Sequence, residues 1–135
     1  SVVQSAATMV AYGRRAIRDS IDVPEIGRYW ADRIYKLLEA CVRDRSQIPA
    51  AQSVDIMFNE FMADAFATLE IIYEKAGLAL TDKARGELQG FMDKHPRGKY
   101  GQIAYHLKRD FDIDPAALRG KFQFYFDAFP VKVES

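Results

Sequence analysis

This sequence lacks an excess of either charge: nineteen Lys and Arg residues stand against nineteen Asp and Glu, leaving a formal net charge of zero over 135 residues. No overall field draws such a chain to nucleic acid or to an anionic membrane, so any anion site must be built locally. Cysteine is almost absent. Cys41 stands alone, which excludes an internal disulfide and any multi-cysteine zinc site, suits a reducing compartment, and leaves the residue as expected core filling. His95 and His106 are too far apart for paired helical ligands and have no cysteine near them, so no metal is expected. No apolar run approaches the roughly 20 residues that cross a bilayer. A basic segment followed by an apolar leader is also lacking, so the expectation is a cytoplasmic protein that does not engage a membrane. Three motifs are absent as well: Gly-x-x-x-x-Gly-Lys-Ser/Thr, Gly-x-Gly-x-x-Gly and Gly-x-Ser-x-Gly. A complete nucleotide enzyme is therefore not visible.

What is present is apolar sequence at helical spacing. With 49% hydrophobic residues and no compositional break, residues 1–135 read as a single domain. Val3, Ala6, Ala7, Val10 and Ile17 predict a helix to about Asp19, weakened in the middle by Gly13. Pro24 and Glu25 open the next helix, and Ile26, Trp30, Ile34, Leu37, Leu38 and Cys41 form its stripe up to about Arg45. After the breaker at 47–51, Val54, Ile56 and Phe58 alternate with polar or flexible neighbours as in a short strand, for which the chain offers no convincing partner. Met62, Phe66, Leu69, Ile72, Tyr73 and Ala76 restore the helical period, and Gly77 suits the position past its end. Thr81 caps a helix through Ala84, Leu88, Phe91 and Met92, and Asp114 with Pro115 opens a last one ending at Pro130. Phe122, Tyr125, Phe126 and Phe129 lie at helical spacing and read as a core face before a base-stacking platform. Asp55, Glu60, Asp64 and Asp82 fall where caps and solvent faces are expected and carry no catalytic signal. The chain starts directly in apolar-periodic sequence at Ser1 to Val3 without an initiator methionine, as a fragment of a longer polypeptide would.

The most informative segment is Pro96-Arg97-Gly98-Lys99-Tyr100-Gly101. Two glycines let the backbone turn sharply, Arg97 offers a planar donor fork and Lys99 a compact charge, which together suit phosphate. The alternative is a solvated surface loop.

The order of several marks resembles a known family. A Val-Asp-Ile-Met-Phe segment is followed by Glu60-Phe61-Met62-Ala63-Asp64, a helix reaching Ile72-Tyr73, Gly77-Leu78 and Leu80-Thr81. Next come the basic loop, Tyr105, Asp110-Phe111 and a closing Phe122 with Tyr125 and Phe129. This resembles the C-terminal half of bacterial-type sulfotransferases that use 3′-phosphoadenosine 5′-phosphosulfate. The resemblance implies a mainly helical chain with one short strand, the C-terminal portion of an α/β P-loop-like fold whose parallel sheet comes mostly from an N-terminal part not included here. It implies that Ser5 matches a serine that grips the donor's 3′-phosphate, with its companion arginine lying before Ser1. Arg97, Lys99 and Gly101 match the family's later loop, while Ala65 replaces a proline, Tyr100 a histidine, and Gln102, Ile103 and Ala104 fill the following positions. The implied partners are a small-molecule hydroxyl or amine acceptor and either the N-terminal half or further copies of the chain. The loop for the 5′-phosphosulfate would lie upstream, making this chain alone catalytically incompetent. The competing reading is a self-sufficient helical binding or regulatory module without catalysis.

Overall fold

The structure is a computed structural model that describes residues 2–96, 98, 99, 101 and 106–132. The described elements are helices: α1 (Val2–Arg15), α2 (Val23–Asp44), α3 (Phe58–Ala63), α4 (Ala65–Lys75), α5 (Asp82–Lys94), α6 (Leu107–Phe111), α7 (Pro115–Lys121) and α8 (Gln123–Ala128), with 3-10 turns at Arg45–Gln47 and Ala50–Gln52. The chain divides into two compact units, one of Ser1–Arg45 with Ala104–Ser135 and one of Ser46–Ile103.

In the first unit α2 packs against α1, α6 and α8. It begins where proline and acid foretold: the Asp22 carboxylate accepts from the Glu25 N–H at 2.9 Å, and Pro24 sits in the first turn. One core cluster joins Val3, Ala31, Ile34 and Phe122, with Leu38, Leu118 and Phe126 against it. A second joins Ala7, Ala11, Ile26 and Phe111, flanked by Trp30 and Ile113. α2 and α6 come close at Gly27, since a Cβ there would lie 2.7 Å from the Phe111 Cβ. α1 ends at Arg15, short of Asp19, and tapers through a bond from the Ile17 N–H to the Arg14 carbonyl at 3.2 Å. Cys41 is exposed rather than core filling, because the buried positions of α2 stop at Ile34.

In the second unit Asp64 interrupts the helix read over 62–76. Its N–H bonds the Glu60 carbonyl and closes α3, while its carboxylate accepts from the Ala67 N–H at 2.9 Å and opens α4. Gly77, at φ 68, ends α4 as its position foretold. Thr81 caps α5, its hydroxyl accepting from the Ala84 N–H at 3.2 Å. Arg85 on α5 pairs with Glu70 on α4 and lies 5.0 Å from the Phe66 ring centre. The short strand expected at Val54–Phe58 does not form among the described residues. Ser53 and Met57 are extended, yet no strand is formed over 53–57, and Phe58 already begins α3. An extended segment becomes a strand only through a ladder of backbone hydrogen bonds to a neighbouring strand. The mainly helical character is as expected.

Candidate functional site

Ser5 lies in the first described turn of α1, exposed, between the buried Gln4 and the half-buried Ala6. Its hydroxyl has no hydrogen-bond partner among the described residues. Gln4 points inward, 5% exposed, and its Nε2 donates to Asp110 Oδ2 at 3.2 Å. Asp110 also accepts from Arg109 Nε at 2.7 Å and from the backbone N–H of His106. The Arg109 hydrogen bond is the main reason that its carboxyl is held below the usual 3.8. One turn on, Lys108 donates to Asp112 at 2.5 Å, lowering the carboxyl and raising the ammonium. Asp112 adopts the left-handed conformation, φ 54, and ends α6. His106, Leu107, Lys108, Arg109 and Pro115 line a shallow open depression of about 470 Å³.

Sequence reasoning missed α6 and the pair Gln4–Asp110. A five-residue helix gives almost no periodic signal. Gln4, however, stands three and seven residues before Ala7 and Ala11, the buried phase of α1, and a polar residue in that phase calls for a polar partner.

The basic loop turns on its glycines, as expected. Gly98 at φ 80 and Gly101 at φ 93 adopt conformations that residues with a Cβ seldom reach. The Lys99 N–H bonds the Pro96 carbonyl at 3.1 Å and the Gly101 N–H bonds the Gly98 carbonyl at 2.9 Å. Lys99 Nζ donates to the Lys94 carbonyl at 2.8 Å, placing a cation at the negative end of α5. His95 closes the same end, its ring stacked 4.3 Å from that of Phe91. Lys99 and Gly101 both belong to the second unit, whereas Ser5 belongs to the first. Arg97 lies outside the described residues.

No group of three or more His, Cys, Asp or Glu among the described residues is arranged to hold a metal ion. No helix among them is long and apolar enough to cross a membrane.

A sequence profile of the sulfotransferase family matches residues 1–82. The chain belongs to the sulfotransferase family. The match includes Ser5 and runs from α1 to the start of α5; the basic loop follows it. The crystal structure of sulfotransferase STF9 from Mycobacterium avium shares the fold, with a TM-score of 0.84 and 21% identity over 98% of this chain. The aligned region is 34% of that protein, so this sulfotransferase-family chain spans about a third of its length. No curated protein sequence matches the chain.

Proposed function

We propose that this chain is the part of a sulfotransferase that grips the nucleotide of the sulfuryl donor 3′-phosphoadenosine 5′-phosphosulfate and contributes to the pocket for a small hydroxyl or amine acceptor. In the reaction an acceptor oxygen or nitrogen attacks the donor sulfur in line. The bond from sulfur to the bridging phosphate oxygen breaks, releasing adenosine 3′,5′-bisphosphate, and the acceptor gives up its proton. Transfer of this kind depends on positioning and on stabilising charge at the moving group and the leaving phosphate. The observation that carries the reading is the family match across α1, with Ser5 exposed and its hydroxyl unpartnered among the described residues.

Four residues are assigned to the donor on this reading. Ser5 donates its hydroxyl to the 3′-phosphate, Arg97 and Lys99 supply charge-assisted hydrogen bonds, and Gly101 allows close backbone approach. Lys99 would exchange the Lys94 carbonyl for phosphate oxygen, a favourable trade because the acceptor is then fully charged. That same bond to Lys94 favours a second reading, a helical module without catalysis in which Lys99 serves as the cap of α5. Incubating the full-length protein with radiolabelled donor and a panel of phenols, alcohols and amines separates the two. Labelled acceptor is expected, with adenosine 3′,5′-bisphosphate released in equal amount. Failure to bind the donor or to label any acceptor would favour the non-catalytic module.

A further inference from the structure

Gln4 is the one polar side chain among the buried residues of α1, where Val3, Ala7 and Ala11 are apolar. A hydrophobic residue of similar size would fill the place without needing a partner. Instead the amide reaches across 106 residues of sequence to the Asp110 carboxylate, which Arg109 and the His106 N–H hold in turn. A directional bond fixes what alanine contacts leave free. Ala7 and Ala11 present little relief against which α1 could lock, so rotation and sliding of its first turn need another restraint. A rotation of about 20° moves a side chain at the rim of a helix by roughly 2 Å, enough to lose a hydrogen bond. Ser5 follows Gln4 directly and faces outward as Gln4 faces inward.

We propose that Gln4 and Asp110 are a positioning pair that holds the first turn of α1 so that Ser5 meets the donor's 3′-phosphate; this rests on the reading of Ser5 given above. Neither member touches the donor. Their bond sets the direction in which the neighbouring hydroxyl points.

The test is calorimetric binding of adenosine 3′,5′-bisphosphate to the full-length protein, with thermal midpoints recorded in parallel. Ser5→Ala and Gln4→Leu are each expected to weaken binding about five- to tenfold, the worth of one hydrogen bond. The double variant is expected to be no weaker than the poorer single one, because both changes remove the same contact. Gln4→Glu alone sets two carboxylates against each other and is expected to bind poorly. Adding Asp110→Asn, which restores a bond with donor and acceptor exchanged, is expected to recover affinity. An unchanged affinity in Gln4→Leu, full additivity with Ser5→Ala, or no recovery in the exchanged pair would overturn the positioning role while leaving Ser5 as a ligand. Unchanged binding in Ser5→Ala would remove the ligand role itself, and the pair's function with it.

Discussion

At the scale of single residues, the clearest consequences come from glycines and carboxylates. Gly27 has no room for a methyl group, since the Phe111 Cβ would stand 2.7 Å from it and the Ile113 Cδ1 3.1 Å. Gly27→Ala is expected to destabilise the protein by about 1–3 kcal/mol, as overpacked cores do. Gly90, inside α5 with open space around it, is the contrasting case. Gly90→Ala is expected to raise stability by about 0.5–1 kcal/mol. Chemical denaturation of the two variants checks both signs. Asp32, Asp44, Asp110 and Asp112 are held below the usual 3.8, chiefly by hydrogen bonds from Lys36, Arg43, Arg109 and Lys108. Carboxyls depressed in the folded state contribute stability above their unfolded values and lose it as pH falls through the folded ones. The thermal midpoint is therefore expected to hold down to about pH 5 and to fall below 3.8 as these carboxylates take up protons. Added salt should shrink the fall, because the pairs are solvent-exposed. A midpoint unchanged through that range would show the pairs to be energetically silent.

At the scale of elements, helix boundaries follow local chemistry. Thr81 and Asp114 were legible as caps because a side-chain oxygen three residues ahead of a free N–H is a short-range arrangement, and both make that bond. Thr81→Ala is expected to cost about 1 kcal/mol and to loosen α5 selectively, seen as faster amide exchange over 82–94. Asp64 suits a cap or a solvent face by residue type, but its place inside an apolar period gives no sign that it divides one helix into two. Phe122 likewise splits the last helix, its N–H bonding the Leu118 and Arg119 carbonyls between α7 and α8. The alternation at Val54–Phe58 gave the wrong element because period-two spacing marks a surface that fits a sheet, and a strand exists only when another strand is beside it. Of the candidate site, the turns at Gly98 and Gly101 were readable from residue type, whereas Ser5 was proposed from the family resemblance. Gln4–Asp110 was not, since a contact across 106 residues leaves no local pattern.

At the scale of the whole molecule, the chain is mainly helical, shares its fold with a sulfotransferase, and leaves large apolar side chains exposed. Met9, Tyr12, Phe58, Phe91 and Leu37 are each more than half exposed. The aligned sulfotransferase is about three times longer, the chain covering 34% of it. The central claim is that this part of the family grips the donor nucleotide through Ser5 and the loop at 96–101. Calorimetry of adenosine 3′,5′-bisphosphate binding to the full-length protein, with and without the joint substitution Arg97→Ala and Lys99→Ala, tests it most directly. The account predicts saturable binding that weakens about tenfold or more when two charge-assisted contacts are removed, with the fold intact by circular dichroism. Equal affinity in the two proteins would contradict it and leave Lys99 as a helix cap.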